Sequence, residues 1–292
     1  MYKILHKEKL GPDIYLYRFQ APDIARHRKP GQFVILRVSE EGERIPITIA
    51  DVDAEAGTIT LIVQAVGKTT LEMSRLKTGD SIPTITGPLG EPTHIEKVGN
   101  VLCVGGGIGI APLYPVAVAM RDIGNRVTSI IGSRTEELLI LRDRMEQTSD
   151  RLIITTDDGS CGCKGFVTQA IQELIDSGEE IQMCVAMGPP IMMKCVCDLT
   201  KKYEIPTIVS LNPIMVDGTG MCGCCRVTVG GSVKFACVDG PEFDGHQVDF
   251  QELMTRLATY RNHESVSLER YQEHAGCRLD AAIEDLPEGD CP

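Results

Sequence analysis

The chain has 292 residues, 42% of them hydrophobic and 24% charged, a composition typical of soluble globular proteins of two or three domains. The net charge of −12 argues against binding to nucleic-acid backbones or anionic membranes, and no apolar run reaches the ~18 residues that membrane insertion requires. Twelve cysteines without a signal-peptide pattern predict a reducing, cytoplasmic location, where clustered thiols more often bind metals or catalyse than form disulfides.

The first part of the chain, residues 1–97, has the pattern of a small all-β domain. The alternating runs IYLYRF, QFVILRV, RIPITIA, TITLIVQAV and DSIPTITGP are separated by turn sequences rich in Gly, Pro and Asp. Five or six short strands with tight turns predict a β-barrel, with each run forming one strand.

A second pattern, alternating strands and helices, occupies residues 98–212. The run NVLCVGG is typical of a buried strand and is followed by helical spacing in IGIAPLYPVAVAMRDIG. Further helices are predicted over 136–148, 166–178 and 190–204, and the run TIVSL is predicted to be the last strand of the series. This alternation predicts an α/β domain with a doubly wound parallel sheet.

The first strand–helix junction of this domain, VLCVGGGIGIAP, is a candidate dinucleotide loop. Gly105, Gly107, Ile108 and Gly109 lie where a buried strand opens into a helix. Glycines let the backbone approach a pyrophosphate, and the helix N-terminus offers free N–H groups. The spacing departs from G-x-G-x-x-G, so the strand–loop–helix context carries the prediction of nucleotide binding, against a purely structural turn.

The ends of the later strands supply further candidate nucleotide contacts. Ser133 and Arg134 end the second strand, Asp157 follows the third, and Gly188 and Pro189 follow the fourth. Open α/β sheets bind cofactors at this carboxyl edge. The arginine could hold the 2′-phosphate of NADP or pair with a neighbouring glutamate at the surface, and the sequence leaves these alternatives open.

The third part, residues 213–245, contains the thiol loop, which we define as residues 216–237, VDGTGMCGCCRVTVGGSVKFAC. Asp217, Cys222, Cys225 and Cys237 match the plant-type [2Fe–2S] spacing C-x₄-C-x₂-C…C, with an aspartate in the first position. Three thiolates and one carboxylate complete four ligands on two irons. We therefore predict a small [2Fe–2S] domain that contains a short hairpin, RVTVGGSVKF.

Zinc is the competing interpretation of these thiols. A Cys-x₂-Cys pair with Cys237 could form part of a tetrahedral site, although a zinc ribbon would normally supply a second close pair. Cys224 is interpreted as a bystander, because two adjacent cysteines do not readily share a cluster. The last part, residues 246–292, is predicted to be an amphipathic helix followed by an acidic tail whose final dozen residues are poorly ordered.

The combination of a β-barrel, GGGIGIAP with GPPIMM, and a C-terminal thiol loop resembles the ferredoxin–NADP reductase superfamily. Within it, the chain is similar to electron-transfer subunits of dihydroorotate dehydrogenase B and their relatives. The string VDGTGMCGCCRV is more similar to the small subunits of NADH-dependent ferredoxin:NADP⁺ oxidoreductases, in which an aspartate is the first ligand, than to dihydroorotate-dehydrogenase subunits with four cysteines.

This resemblance implies an FAD site on the barrel. The family motif R-x-x-[S/T] corresponds to RIPIT, where Arg44 lies four residues before Thr48 instead of three. Thr48 would lie near the flavin N5 and is the candidate catalytic residue. The remaining implied flavin contacts are Pro46, Ile47, Val63, Gln64, Gly67, Thr69 and Thr70.

The resemblance also implies the function. A nicotinamide donates hydride, a [2Fe–2S] cluster accepts single electrons, and FAD exchanges both and so belongs between them. We expect NAD(H), with NADP(H) as the alternative, to reduce FAD near Thr48 and electrons to leave through the thiol loop. The implied acceptor is a large subunit carrying flavin and [4Fe–4S] clusters, and indirectly ferredoxin. The alternatives are a dihydroorotate dehydrogenase B subunit and a zinc-stabilised nucleotide-binding regulator.

Overall fold

The computed structural model describes residues 1–276, with side chains to residue 273. It contains a seven-stranded antiparallel N-terminal sheet, a seven-stranded central sheet and a two-stranded hairpin. In this part of the chain no helix is both long and apolar enough to cross a membrane. The predicted disorder of the last dozen residues lies outside the described residues.

The N-terminal sheet is barrel-like and is built from the alternating runs of the first 97 residues. It has the strand order β6-β1-β2-β5-β4-β3-β7. Its strands are β1 (Tyr2–Gly11), β2 (Ile14–Gln20), β3 (Phe33–Arg37), β4 (Ile45–Asp53), β5 (Thr58–Gln64), β6 (Ser81–Ile82) and β7 (Thr84–Leu89). Two short helices, α1 (Pro22–His27) and α2 (Lys68–Arg75), follow β2 and β5.

The central sheet is the predicted doubly wound sheet. Its parallel strands are β8 (Asn100–Gly106), β9 (Arg126–Ser133), β10 (Arg151–Thr156), β11 (Cys163–Lys164), β12 (Met183–Met187) and β13 (Thr207–Ser210). The helices are α3 (Ile110–Asp122), α4 (Arg142–Thr148), α5 (Val167–Asp176) and α6 (Pro190–Thr200). Because β8 pairs with both β9 and β12, the chain reverses its direction of winding at the carboxyl end of β8, where such sheets bind ligands.

The C-terminal part begins with the predicted hairpin, β14 (Arg226–Val229) and β15 (Ser232–Phe235). It continues into β16 (Glu242–Asp244), which pairs antiparallel with β13 at the edge of the central sheet. The predicted C-terminal helix is α7 (Phe250–Ala258), and α8 (Arg261–Gly276) follows it. TIVSL forms β13, the last parallel strand of the alternating series, as predicted, and β16 extends the sheet beyond it as an antiparallel strand.

Three apolar cores join these parts. Strand β3 contributes to two of them: Val34 and Leu36 face the core of the N-terminal sheet, whereas Phe33 and Ile35 face a core shared with the central sheet and the thiol loop. Successive side chains of a strand point to opposite faces, so one strand can serve both cores. The core of the N-terminal sheet and the core that includes the thiol loop therefore lie on opposite faces of β3.

Two predicted elements differ from the observed ones. The single helix expected over 136–148 is a 3₁₀ turn (Glu136–Leu138) followed by α4, because Leu141 adopts a left-handed conformation with φ 55° that no α-helix allows. The single strand expected over 80–88 is divided into β6 and β7 at Pro83, because proline has no N–H to donate to a strand ladder.

Candidate functional site

A cavity of about 950 Å³ lies between the N-terminal and central sheets. Twelve of the predicted cofactor-binding residues line it: Pro46, Ile47, Thr48, Gln64, Gly107, Ile108, Gly109, Ser133, Arg134, Asp157, Gly188 and Pro189. Its size is within the range of small-molecule and cofactor sites. Both halves of the predicted hydride-transfer site thus open into one space.

Thr48 occupies the wall of the cavity that the N-terminal sheet supplies. It lies in β4 directly opposite Phe33 of β3, and both residues line the cavity. The next residue, Ile49, is fully buried in the core of the sheet, which fixes the position of this strand. A β-branched hydroxyl side chain is thus held on a rigid strand facing the glycine loop.

The glycine loop forms the opposite wall. Strand β8 ends at Gly106, and a 3₁₀ turn over Gly107–Gly109 leads directly into α3. A Cβ atom on Gly109 would come 2.6 Å from the Gly188 Cα atom, so only glycine permits this approach of the two loops. Gly107 has φ +54°, a backbone conformation that favours glycine, and its open side faces the cavity.

The predicted nucleotide contacts meet at the carboxyl edge of the central sheet. The N–H of Asp157 donates to the Ser133 carbonyl at 3.1 Å, which connects the loops after β9 and β10. The Ser133 hydroxyl donates to the Thr135 carbonyl at 2.6 Å and so is held within its own turn. Arg134 and Asp157 both line the cavity, which places a positive and a negative group at this edge of the sheet.

The other predicted cofactor residues do not line the cavity. The Val63 side chain is buried in the N-terminal core, Gly105 lies within β8, and Arg44 is exposed just before β4. The three remaining residues, Gly67, Thr69 and Thr70, lie at the N-terminal end of α2. The N–H of Gly67 donates to the Thr70 hydroxyl at 3.0 Å, and the Thr69 hydroxyl donates to a Glu43 carboxylate oxygen at 3.0 Å.

Several residues of the cavity wall were not predicted. Phe33 and Asn212 line it, as do Phe166 and Cys195, although Phe166 is 63% exposed. Phe33 belongs to an alternating strand run and has the pattern of an ordinary core position, so sequence spacing offers no signal for it. The exposure of Phe166 at the cavity marks it as a candidate binding residue, but only the folded structure shows that exposure.

The thiol loop gathers the predicted ligands next to the N-terminal sheet. The Sγ atoms of Cys225 and Cys237 lie 3.2 Å apart and are buried. The Cys222 sulfur accepts hydrogen bonds from the backbone N–H groups of Asp217 and Cys224 and also contacts the Cys224 thiol. Two of the four predicted ligands, Cys225 and Cys237, therefore form a buried pair, whereas Cys222 is exposed and lies beside Cys224.

Backbone donors and burial set the protonation of these groups. The N–H of Cys224 lowers the pKa of Cys222, whereas burial raises the pKa of the Cys237 thiol to about 12. The Thr219 hydroxyl and, to a lesser extent, backbone N–H groups lower the pKa of Asp217. Metal binding displaces the thiol protons, so cluster assembly should release protons.

The donor set fits a binuclear centre better than a single ion. Among residues 1–276, no three acidic, histidine or cysteine side chains surround one point closely enough to hold a metal ion. Two thiolates on one tetrahedral metal at ~2.3 Å lie ~3.8 Å apart, close to the Cys225–Cys237 separation. Gly218, Gly220 and Gly223 all have positive φ, a backbone conformation that favours glycine and lets the loop turn tightly. A pair of ligands per iron is what a [2Fe–2S] cluster uses.

An N-terminal antiparallel sheet, a glycine loop on one shared cavity and an adjoining thiol loop define an electron-transfer oxidoreductase. Family models match all three parts: an oxidoreductase FAD-binding domain over 1–94, an oxidoreductase NAD-binding domain over 103–198, and the iron–sulfur cluster binding domain of dihydroorotate dehydrogenase B over 212–249. The chain thus binds FAD, NAD and an iron–sulfur cluster, and the zinc alternative is not supported.

Similar proteins extend over nearly the whole chain. A Thermotoga maritima protein named dihydroorotate dehydrogenase B (NAD(+)), electron transfer subunit homolog, is 50% identical over 274 residues, 94% of this chain and 96% of that one. A Methanocaldococcus jannaschii protein named as a probable subunit of the same type is 39% identical, covering 76% of this chain and 81% of that one. The chain belongs to the family of dihydroorotate dehydrogenase B electron-transfer subunits and their homologues, within the ferredoxin–NADP reductase superfamily.

A solved structure is also similar. A chain from the structure of an NADH-dependent reduced ferredoxin–NADP oxidoreductase, described in connection with flavin-based electron bifurcation, is 48% identical. The match covers 93% of this chain and 98% of that one, with a TM-score of 0.89. The predicted superfamily and fold class and the binding of FAD, NAD and an iron–sulfur cluster are confirmed, whereas the [2Fe–2S] type of the cluster stays a prediction. The names of the relatives describe subunits, which indicates that such chains work in an assembly.

Proposed function

We propose that this chain is the small, electron-transfer subunit of an NADH-dependent reduced ferredoxin–NADP oxidoreductase of the cytoplasm. The proposal rests on one observation: Thr48 of the N-terminal sheet and the glycine loop line the same cavity, while the thiol loop packs on the same strand, β3, that borders it. The match to the reduced ferredoxin–NADP oxidoreductase structure supports it.

In this proposal each wall of the cavity has one role. FAD, when bound, exchanges hydride with a nicotinamide and single electrons with an iron–sulfur cluster. The glycine loop and the N-terminus of α3 bind the NADH pyrophosphate, and Arg134 and Asp157 contact the adenosine ribose. Thr48 orients the reacting rings through its hydroxyl, and the apolar walls of the cavity exclude water.

Electrons leave through the thiol loop in the same proposal. Asp217, Cys222, Cys225 and Cys237 hold a [2Fe–2S] cluster, with two protein ligands on each iron. The acceptor is a larger partner subunit with its own flavin and [4Fe–4S] clusters, and ferredoxin is reached through that subunit. A carboxylate is a harder ligand than a thiolate, so Asp217 tunes the potential of this cluster.

The second candidate function is that of the electron-transfer subunit of a dihydroorotate dehydrogenase B. The names of several relatives favour it, including one from Desulforamulus reducens that is 35% identical over 84% of this chain. Asp217 distinguishes the candidates, since the resemblance to dihydroorotate-dehydrogenase subunits implies a cysteine in that position. Co-purification of the natural assembly and identification of the larger subunit separates the two.

The direct test is an anaerobic titration of the purified complex with NADH and, separately, NADPH, followed by visible absorbance and EPR. The proposal predicts flavin bleaching and a reduced-cluster EPR signal with NADH, and NADP⁺-dependent electron transfer only when the larger subunit is present. A preparation without iron or acid-labile sulfide, or a complex reduced by dihydroorotate instead, would contradict it.

A further inference from the structure

Asn212 presents an unpaired amide at the wall of the shared cavity. Its neighbours Leu211 and Pro213 are both buried, whereas Asn212 itself is exposed and lines the cavity. The N–H of Leu211 donates to the Pro241 carbonyl at 2.8 Å, which anchors the backbone next to the asparagine. Among the residues that the structure describes, none forms a hydrogen bond with the Asn212 side chain. A fixed backbone therefore holds at the cavity an amide whose two donor hydrogens and acceptor oxygen are free to bind a ligand.

The position of Asn212 along the carboxyl edge of the central sheet indicates which part of a dinucleotide it meets. Ala186 of β12 pairs with Val209 of β13, and each strand ends one residue later, so the two strands end side by side. Asn212 follows β13 and thus lies on the far side of β8 from β9 and β10. In the proposed function the pyrophosphate lies on the glycine loop after β8 and the adenosine ribose at Arg134 and Asp157. The nicotinamide therefore lies at the β12–β13 end.

Packing contacts connect Thr48 to this same end of the cavity. Thr48 lies opposite Phe33 in the β3–β4 ladder. A Cβ atom on Gly90 would lie 2.8 Å from the Phe33 Cε1 atom and 3.0 Å from the Pro241 Cδ atom, so the phenyl ring and the proline pack around one point. The Pro241 carbonyl in turn accepts from the N–H of Leu211. The segment that follows β13 therefore borders the end of the cavity at which Thr48 lies.

We propose that Asn212 binds the carboxamide of the nicotinamide ring and orients that ring for hydride transfer. Its Oδ1 atom accepts a hydrogen bond from the carboxamide amino group, and its Nδ2 atom donates one to the carboxamide oxygen, as two facing amides do. These bonds hold the ring by its substituent and so fix its orientation toward the flavin beside Thr48. The inference rests on the proposed function, because it takes NADH as the hydride donor and adopts the nucleotide orientation given there.

The test compares two hydride donors in anaerobic stopped-flow experiments on the full chain with its bound FAD. The donors are NADH and reduced acetylpyridine adenine dinucleotide, in which a methyl group replaces the carboxamide amino group and the carbonyl remains. The variants are Asn212→Ala and, as the matched control, Asn262→Ala, which removes an exposed amide from α8. The rate constant of flavin reduction, the dissociation constant of the donor and the FAD content per chain are measured for each protein.

The ratio of the rate constant to the dissociation constant should fall about 10-fold or more in Asn212→Ala with NADH, which loses two hydrogen bonds, but only about 3-fold with the analogue, which loses one. Asn262→Ala should match wild type with both donors, and every protein should retain its FAD. Equal losses with the two donors, or none, would overturn the inference. Loss of FAD with an unchanged preference for NADH would also overturn it, because Asn212 would then bind the flavin. A wild-type chain whose flavin NADH does not reduce would instead refute the proposed function.

Discussion

Cys225 and Cys237 are twelve residues apart in sequence, yet their Sγ atoms lie 3.2 Å apart in the interior of the protein. The β14–β15 hairpin lies between them, with Arg226 paired to Phe235 at its open end. The N–H of Ala236 donates to the Cys225 carbonyl at 3.1 Å and continues this ladder up to the two thiols. A sheet register therefore places one half of the ligand set.

Replacing Cys237 by serine should abolish cluster assembly and leave FAD binding intact. Serine removes a thiolate from the buried pair but preserves the size of the side chain and the hairpin. Iron and acid-labile sulfide per chain should fall to background, while flavin absorbance stays. Cys163→Ser, at the exposed first position of the edge strand β11, is the matched control and should retain both. Retention of a full iron content in Cys237→Ser would remove this residue from the ligand set.

A second prediction concerns Gly218, the contact between the thiol loop and the N-terminal sheet. Gly218→Ala combines a left-handed backbone at φ +84° with a Cβ atom only 2.7 Å from Leu89. Unfolding free energy should fall by about 2–4 kcal/mol, the sum of backbone strain and overpacking. Chemical denaturation measures it.

The control for that experiment separates the two causes. Gly231 has φ +73°, and no atom lies within 4 Å of the point that an added Cβ atom would occupy. Gly231→Ala should therefore lower the unfolding free energy by only about 1 kcal/mol, the backbone strain of a left-handed alanine. Equal losses in the two variants would mean that the packing of Gly218 on the sheet adds nothing.

The cofactor-binding loops of this chain were easier to predict from sequence than the long-range strand pairings that join its domains. The glycine loop and the thiol loop depend on local spacing, which a sequence displays directly. The fold class followed from strand and helix periods for the same reason. By contrast, the pairing of β16 with β13 joins residues 32 positions or more apart, and no local pattern encodes such a partner.

The helix break at Leu141 had no sequence signal for a related reason. Most of residues 136–148 are good helix formers, and leucine rarely adopts positive φ. The adjacent Ile140 is buried in the core of the central sheet, 1% exposed, and tertiary packing holds the chain in the unfavourable turn. Phe33 was missed in the same way, since its role in the cavity depends on which sheet faces it.

Thr48 should affect hydride transfer through its hydroxyl. Thr48→Val keeps the β-branched shape on the cavity wall but removes the only hydrogen-bonding group of the side chain, and flavin reduction by NADH should slow by about 10-fold or more. Stopped-flow absorbance measures the rate. Thr48→Ser, which keeps the hydroxyl, should remain within a few-fold of wild type, about 3-fold at most by the same argument. Equal rates in both variants would restrict Thr48 to a role in strand packing.

The last prediction concerns Glu242, whose carboxyl is enclosed where β16 meets the N-terminal domain. The Thr93 hydroxyl donates to its Oε1 atom at 2.6 Å, and a Cβ atom on Gly31 would lie 2.8 Å from that same oxygen. Glu242 is half-buried. Burial raises the pKa of Glu242 from 4.5 to about 7, and the Thr93 bond opposes this only in part.

Because the folded chain holds this proton more tightly than the unfolded chain, the stabilisation is full below the ordinary pKa of 4.5 and is lost as the pH rises through about 7. Glu242→Gln cannot ionise and its amide oxygen can still accept from Thr93. Between about pH 5 and about pH 8, the variant should therefore lose ~2 kcal/mol less unfolding free energy than wild type. Urea denaturation across this range measures the difference, with the exposed Glu55→Gln as control. Parallel curves for Glu242→Gln and wild type would mean that the carboxyl titrates as it does in water, and that the junction of β16 with Thr93 is open to solvent.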